Sequence, residues 1–295
     1  MPPGKKHLVF LVNPRSGVQR QKDILSAIEL HLDHTVFSFE IQETQYAHHG
    51  VQLAKTAAHA GAFGVIAVGG DGSVNDAAAG LSGTATALGI LPMGSGNGMA
   101  RTLGISRKLP GALAVLNSQN ITAIDMGYAN ERPFVSNAGL GFDALISEAF
   151  ASSKKRGFAS YAWLSSRHFF QYQPTRYTIT VDGKTWQEEA FIINVANGRQ
   201  LGYNFQIAPQ ASYTDGLLNV VILRAFPKWK VLGITLRGFS GRLLHSRYVH
   251  HLQCRSVSIQ PDDASLLQTD GDAWPCTGKV DFRVQPGALK VFIPK

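Results

Sequence analysis

The chain has 295 residues, 44% of them hydrophobic and 16% charged, and this composition excludes a mostly disordered protein. Lysines and arginines number 28 against 20 aspartates and glutamates, so the net charge of +8 favours nucleic acid, anionic membranes or phosphorylated ligands as partners. Two cysteines cannot build a disulfide framework, and no apolar run approaches the ~18 residues of a transmembrane helix, so we expect a cytoplasmic protein peripheral to the inner face of the membrane.

Short buried strands alternate with helical patterns over the first part of the chain, which is typical of an α/β layer structure. The predicted strands are 7–12, 35–41, 64–68, 87–91 and 121–126. Helices are predicted around Ile24, Ile28 and Leu32, over 51–60, 74–81 and 110–117, and after the glycine-rich segment that ends at Gly98.

The hydrophobic period changes near residue 127, which predicts a second domain. Alternating strands over 176–181 and 187–195 flank Asp182-Gly183, a hairpin signal. Further predicted strands are 217–223, 252–260, 279–284 and 288–293. Closely spaced strands of this kind indicate an antiparallel sandwich or barrel.

Two glycine-rich turns each follow a buried strand and precede a helix: Gly69-Gly70-Asp71-Gly72-Ser73 and Gly94-Ser95-Gly96-Asn97-Gly98. Glycine lets a ligand approach the backbone, and the N–H groups that begin a helix favour a phosphate. One such loop is weak evidence, because glycines also make ordinary turns. Two on neighbouring strands make phosphate binding the better interpretation.

Asp71 sharpens this interpretation, since a carboxylate inside a phosphate loop repels its ligand unless a cation intervenes. Mg²⁺ binds through one or two carboxylates plus substrate phosphates, so Asp71 is a candidate for Mg²⁺ handling. The alternative is a turn aspartate that bonds its own backbone. Walker, protein-kinase, dinucleotide and nucleophile-elbow motifs are all missing from the sequence.

Six segments, in the same order, resemble the conserved blocks of the diacylglycerol kinase catalytic-domain family, which includes sphingosine and ceramide kinases. They are 12–17 (VNPRSG), 68–76 (VGGDGSVND), 91–101 (LPMGSGNGMAR), 136–143 (SNAGLGFD), 214–218 (TDGLL) and 268–272 (QTDGD). The GGDG block alone is shared with NAD kinases and phosphofructokinases. The later blocks are what separate this family from them.

The resemblance implies a Rossmann-like α/β nucleotide-binding domain, similar to those of NAD kinases and phosphofructokinases, and a C-terminal β-sandwich-like lipid domain, with the site between them. The expected boundaries are 1–127, completed by a last strand at 287–295, and 128–286. The implied activity is transfer of the γ-phosphate of ATP, with Mg²⁺, to a hydroxyl of a diacylglycerol or sphingoid-type lipid.

The resemblance also assigns residues. It implies nucleotide binding by Asn13, Gly69, Gly70, Gly72, Ser73, Gly94, Ser95, Gly96 and Asn97. It implies an acidic metal-site position at Asp125 and a structural Mg²⁺ site at Asp215 and Leu217, while Asp71, already a candidate for Mg²⁺ handling from the residues themselves, is predicted to be a catalytic residue as well as a metal ligand. It places Asp272 where the family has its proposed catalytic base, and Asp270 is a competing choice that sequence reasoning does not separate from it.

Three positions depart from the family pattern. Asp76 and Asp272 stand where glutamates are usual, and Gly98 stands where bacterial diacylglycerol kinases carry an aspartate. The alternatives to a lipid kinase are therefore a catalytically impaired lipid- or nucleotide-binding protein, or a small-molecule kinase of the NAD-kinase type.

Two basic stretches are candidates for membrane contact. Lys154-Lys155-Arg156 precedes an aromatic segment, and 228–244 places Leu232, Leu236, Phe239 and Leu243 on one helical face among cations. Taken singly, each face is more simply explained by packing on a sheet. Together with the net charge they favour transient contact with an anionic membrane. No nucleic-acid module is visible, and the sequence leaves a homodimer open.

Overall fold

The structure is a computed structural model, and it describes residues 4–14, 21–153 and 157–295. Within those residues, no helix is both long enough and apolar enough to cross a bilayer. The chain divides into two compact units, Met1–Ile124 together with Gly287–Lys295, and Asp125–Pro286. The strand β5 (Ile121–Ala129) leads from the first unit into the second, and β17 (Val280–Phe292) leads back.

The first unit contains a parallel sheet in the order β17–β4–β3–β1–β2. Its other elements are β1 (Lys6–Val12), α1 (Gln21–His31), β2 (Phe37–Glu43), α2 (His49–His59), β3 (Gly64–Gly69), α3 (Asp71–Leu81), β4 (Ala87–Pro92), α4 (Gly98–Thr102) and α5 (Leu109–Asn117). β3 and β4 are buried along their whole length, as apolar runs in a parallel sheet covered on both faces require.

The order of the strands creates a switch point beside β1, since the chain leaves β1 for β2 on one side and later returns to β3 on the other. Ligands bind at the carboxyl ends of strands where the order reverses in this way. Val12 pairs with Val68, and Gly69 pairs with Pro92, so β1, β3 and β4 end at neighbouring levels. Asn13 and the two glycine-rich turns follow these three strand ends.

The second unit is built on antiparallel strands in the order β16–β15–β7–β9–β8–β14–β17, with β12 pairing both β9 and β13. Its elements are β6 (Arg132–Phe134), β7 (Asn137–Gly141), α6 (Phe142–Ala151), α7 (Phe158–Phe169), β8 (Thr175–Val181), β9 (Lys184–Ala196), β10 (Gln200–Gly202), β11 (Phe205–Gln206), β12 (Leu218–Arg224), α8 (Val231–Phe239), β13 (Val249–Cys254), β14 (Ser256–Pro261), β15 (Ser265–Thr269) and β16 (Asp272–Cys276). One apolar cluster lies among the strands, and a second lies beneath α6, α7 and α8.

Three sequence predictions differ from the structure. The predicted strand 252–260 is two strands, because the chain changes partner at Arg255: β13 pairs β12, whereas β14 pairs β8 and β17. The predicted strands 279–284 and 288–293 are one, since Gly287 adopts a φ of 61° inside β17 instead of making a turn. The predicted helical face over 228–244 ends early: α8 stops at Phe239, and Leu243 is buried.

Candidate active site

The two glycine-rich turns of the first unit touch through their backbones. A Cβ atom added to Gly94 would lie 2.6 Å from the Cα atom of Gly70, closer than real Cβ contacts come. The Gly69 carbonyl also accepts a hydrogen bond from the N–H of Met93, at 2.8 Å. The contact between the two turns therefore requires Gly94 and favours Gly70. The two turns lie close together, as expected for turns that follow neighbouring strands.

Asp71 joins these turns with its side chain. One carboxylate oxygen accepts the N–H of Asn97 at 2.9 Å, and the other accepts the N–H of Gly98 at 2.6 Å. A Cβ on Gly96 would lie 2.5 Å from Asp71 Oδ2, so only glycine fits there. The carboxylate thus has a local structural partner besides its predicted role with Mg²⁺.

The start of α3 leaves room for a ligand. Gly70 is its N-cap and makes no side-chain capping bond, and its carbonyl accepts the N–H groups of Ser73 and Val74. Nothing lies within 4 Å of a Cβ added to Gly72. Because the first N–H groups of a helix carry partial positive charge, this open, uncapped end of an eleven-residue helix suits an anion.

Farther along α3, Asp76 contacts His48 from the loop before α2. His48 Nδ1 lies 3.1 Å from Asp76 Oδ1, and burial raises the pKa of the Asp76 carboxyl although the histidine opposes this. His48 adopts a φ of 61°, which brings its ring to the aspartate. Sequence reasoning noted the departure at Asp76 but missed its partner, because a contact between positions 28 apart in the sequence leaves no local signal.

The two carboxyl groups of the final motif have different surroundings in the second unit. Asp270 accepts the backbone N–H groups of Val135, Ser136 and Asn137 at 2.6, 2.8 and 3.0 Å. Burial, with a smaller contribution from the charge of Asp272, raises its pKa to about 6, although these three bonds oppose the shift. Asp270 is therefore held in place by the backbone, in a turn where its φ is 49°.

Asp272 begins β16 and is exposed, opposite Thr269 in the β15–β16 pair. Its carboxylate is thus accessible from solvent, whereas that of Asp270 is held by three N–H groups. A general base must reach the hydroxyl that it deprotonates. The geometry favours Asp272 over Asp270 for that role, a choice that sequence reasoning left open.

A buried amide and carboxyl network supports this turn, and sequence reasoning did not predict it. The Gln268 amide donates to Asn137 Oδ1 at 2.8 Å and to Asp143 Oδ2 at 3.4 Å, while its oxygen accepts the N–H of Gly271 at 2.9 Å. Asn194 also donates to Asp143 Oδ2, at 3.3 Å. Burial raises the pKa of Asp143 to about 7. The sequence does contain one signal for this network: Asp143 lies inside the apolar run GLGFDALI, which indicates a buried carboxyl group that needs polar partners.

The remaining predicted metal ligands lie in the second unit. Asp125 is buried, and its Oδ2 accepts the N–H of Gly216 at 2.7 Å. Asp215 is exposed, and its Oδ1 accepts the N–H of Leu217 at 3.0 Å. The structure thus brings the Asp125 side chain to the 215–217 turn. Among the described residues, no group of three or more His, Cys, Asp or Glu side chains could hold a metal.

Comparisons with known proteins match nearly all of the chain. The family model of the diacylglycerol kinase catalytic domain matches residues 7–129, and that of the YegS C-terminal NAD kinase beta sandwich-like domain matches residues 136–293. A protein of Chromohalobacter salexigens named "Probable lipid kinase YegS-like" is 33% identical over 254 residues, covering 83% of this chain and 81% of that relative.

One further relative and one solved structure agree with these family matches. A diacylglycerol kinase of Bacillus subtilis is 26% identical over 273 residues, covering 90% of each chain. A crystal structure of a diacylglycerol kinase from Bacillus anthracis superposes with a TM-score of 0.74 at 18% identity, covering 100% of this chain and 98% of that one, which shows a shared fold.

The fold and these matches define an enzyme, a kinase of the lipid type. The chain belongs to the diacylglycerol kinase family, with a catalytic domain followed by a YegS-type β-sandwich-like domain. The family, the fold class and the class of enzyme predicted from the sequence are confirmed. The roles of individual residues and the domain boundaries stay predictions.

Proposed function

We propose that the protein transfers the γ-phosphate of ATP to a hydroxyl group of a membrane lipid, with Asp272 as the general base. The observation that carries this proposal is the contrast within the 270–272 turn. Three backbone N–H groups hold Asp270, while Asp272 is exposed at the start of β16. Asp270, held by the backbone, would fix the turn, and the turn would then position the accessible carboxylate of Asp272 as the base.

The first unit supports the nucleotide half of the reaction. The uncapped start of α3 and the open space beside Gly72 suit phosphate oxygens, and Asn13 follows the adjacent strand end. Phosphoryl transfer depends mainly on positioning and on stabilising charge over the transferred group. Backbone N–H groups of this turn would position the phosphates and stabilise their negative charge.

The lipid oxygen attacks the γ-phosphorus in line, its proton passes to Asp272, and the bond to the bridging oxygen breaks to release ADP. General base catalysis of this kind contributes roughly 10²- to 10⁴-fold to the rate. Asp270 remains hydrogen bonded to the backbone throughout and keeps the turn in place.

Divalent magnesium fits the donor atoms available. Asp71, Asp125, Asp215 and the Leu217 carbonyl offer only oxygen, the ligand type that Mg²⁺ prefers. We propose that Asp71 holds the ion that accompanies the phosphates, and that Asp215 with the Leu217 carbonyl, beside Asp125, holds a separate structural ion. In the structure Asp71 and Asp125 also accept backbone N–H bonds. A bound magnesium ion would neutralise negative charge on the phosphates.

The acceptor is proposed to be a diacylglycerol or a sphingoid-type lipid. An apolar cluster rich in aromatic rings lies beneath α6, α7 and α8, where Phe142, Phe169 and Phe191 contact one another with ring centroids 4.7 to 6.2 Å apart. These rings are buried in the core, so the proposal of a lipid acceptor, instead of the small polar acceptor of an NAD-kinase-type enzyme, rests on the lipid-kinase relatives.

The test is transfer of labelled γ-phosphate from ATP, with Mg²⁺, to diacylglycerol, monoacylglycerol, sphingosine and ceramide in mixed micelles. We expect one labelled lipid class, and Asp272→Asn should lower kcat by about 10²-fold or more with little change in KM for ATP. Asp262→Asn, at an exposed acid just after β14, is the matched control.

Two results would contradict the proposal. Undiminished kcat in Asp272→Asn would remove the base assignment. Binding of ATP without transfer to any lipid of the panel would favour a catalytically impaired binding protein, the alternative that Gly98, Asp76 and Asp272 suggest.

A further inference from the structure

Two helices of the second unit expose large apolar side chains that no part of the described structure covers. Trp163 of α7 is 59% exposed, and Phe170, just after the helix, is 66% exposed. Trp229, in the short 3₁₀ turn Lys228–Lys230, is 74% exposed, followed by Leu232 at 68% and Leu236 at 60%. We call these five side chains the aromatic surface. Contiguous exposed apolar groups of this size mark interaction sites.

The five side chains belong to one surface because the two segments meet at both ends, the start of α7 against the end of α8 and the end of α7 against the turn before α8. Phe158 at the start of α7 meets Phe239 at the end of α8, with ring centroids 6.3 Å apart. At the other end, Lys228 Nζ donates to the carbonyl of Phe170. The neighbouring positions 229, 232 and 236 follow helical spacing and therefore share one face.

The opposite faces of these helices already have partners. Ile234 of α8 and Phe169 of α7 are buried in the apolar cluster beneath them. Packing on the unit's own core therefore explains those residues and leaves the aromatic surface without a function in folding. Sequence reasoning explained the apolar residues of each stretch, taken singly, by packing on a sheet. In the structure, packing accounts only for the face of each helix that contacts the apolar cluster.

Cations border the aromatic surface. The Arg167 guanidinium lies 5.4 Å from the centre of the Trp163 ring, and Lys230 Nζ lies 4.0 Å from that of Trp229. The sequence from 216 to 261 contains no aspartate or glutamate. Its lysines and arginines are Arg224, Lys228, Lys230, Arg237, Arg242, Arg247 and Arg255. Most of the net charge of +8 is thus carried by this one segment.

We propose that the aromatic surface is the site by which the protein docks on an anionic lipid bilayer. Tryptophan rings settle at the boundary between headgroups and acyl chains, and bordering lysines and arginines are attracted to anionic lipids. A second copy of this chain fits less well, because a symmetric contact would bring identical cations together. The predicted basic stretch Lys154-Lys155-Arg156 lies outside the described residues.

This inference rests on the proposed function for the identity of its partner, since a kinase of membrane lipids must reach a membrane. It is tested without ATP or acceptor, by sedimenting the protein with phosphatidylcholine vesicles that contain or lack phosphatidylserine. Trp229→Ser with Leu232→Ser, and separately Lys230→Glu with Arg237→Glu, should each weaken binding to the phosphatidylserine vesicles by more than about tenfold.

Matched controls are available at exposed sites elsewhere. Leu25→Ser with Leu30→Ser on α1, and Lys55→Glu with Lys184→Glu, change the same kinds of side chain and should leave vesicle binding unchanged. In addition, the part of the tryptophan fluorescence that a Trp229→Phe substitution removes should shift to shorter wavelength with vesicles and be quenched by brominated lipids.

The outcomes separate this inference from the proposed function. Unchanged vesicle binding in both surface variants overturns the inference, even if the enzyme phosphorylates a short-chain lipid in free solution. A dimer in sedimentation velocity that the Trp229→Ser, Leu232→Ser variant dissociates, without loss of vesicle binding, would assign the surface to self-association. Vesicle binding that depends on the surface, without phosphoryl transfer, would support the inference and contradict the proposed function.

Discussion

The carboxyl group of Asp71 combines a structural role in the glycine-rich turns with the proposed role in binding Mg²⁺. It accepts two backbone N–H groups of the second glycine-rich turn, so it fixes the turn whose N–H groups are proposed to meet phosphate. A lone metal-binding aspartate would be dispensable for the fold. Asp71 should not be, because a turn that loses both bonds is free to move.

Replacing Asp71 with asparagine tests this double role. The amide can accept one of the two N–H bonds but presents its own N–H to the other, so we expect a loss of about 1–3 kcal/mol of stability as well as most of the activity. Thermal unfolding and kinase assays on the same sample measure both. Asp23→Asn, in the first turn of α1, should change neither, and a fully stable Asp71→Asn protein would limit the residue to catalysis.

Asp143 offers a second test at this scale, through the pH dependence of stability. Its pKa is about 7 in the folded protein against an ordinary 3.8, so between these values the folded state keeps a proton that the unfolded chain releases. Stability contributed by this group is therefore present at low pH and lost as the pH rises through about 7.

The Asp143→Asn variant has no such proton. The free energy of unfolding of the wild type, relative to this variant, should fall by on the order of 3 kcal/mol between about pH 4 and pH 7. Chemical denaturation across that pH range measures the difference. A difference that does not vary with pH would show that Asp143 ionises normally in its network with Gln268 and Asn194.

At the scale of elements, the glycines of the two turns differ in what they touch. A Cβ at Gly96 would strike Asp71 Oδ2 at 2.5 Å, whereas a Cβ at Gly72 meets nothing within 4 Å. Gly96→Ala should therefore lower both stability and ATP affinity. Gly72→Ala should keep or raise stability, by up to about 1 kcal/mol, because alanine favours a helix.

The informative measurement is ATP binding by calorimetry in the two variants. If phosphate occupies the space beside Gly72, the added methyl group lowers ATP affinity in a protein that unfolds no more easily. Equal ATP affinity in Gly72→Ala and the wild type would place the nucleotide elsewhere.

Local pattern predicted some of these elements well and others poorly. The glycine-rich turns were predicted because strand, turn and helix are adjacent in sequence. The hairpin at Asp182-Gly183 was predicted because its two strands and its turn are also adjacent. The division at Arg255 was missed because a strand that changes partner looks locally like one long strand. The Asp143 and Gln268 contact was missed because 125 residues separate its members. Long-range polar pairing leaves no periodic signal, so the buried half of the candidate site became visible only in the fold.

At the scale of the whole molecule, β17 completes the sheet of the first unit, although the whole of the second unit lies in sequence between its last residues and the other strands of that sheet. Its residues Lys290 and Val291 pair with β4, and Leu289, Val291 and Phe292 are buried. Phe292 contacts Phe63, with ring centroids 5.8 Å apart. A side chain near the end of the chain is thus part of the core formed by its beginning.

Truncating Phe292 to alanine should therefore cost about 3–5 kcal/mol, as for other buried aromatic rings. Guanidinium unfolding measures this loss, and Phe170→Ala, which removes a ring that is 66% exposed, should cost much less. Similar losses in the two variants would show that the returning strand adds little to the first unit.

The returning strand also sets an order of events during synthesis. Residues 125–286 leave the ribosome as one uninterrupted stretch, whereas the β4 edge of the first unit waits for residues 287–292. Until then that edge presents unpaired backbone groups, the kind of surface that recruits stray strands. A nascent chain stalled before residue 287 would therefore be the species most prone to mispairing and most in need of a chaperone.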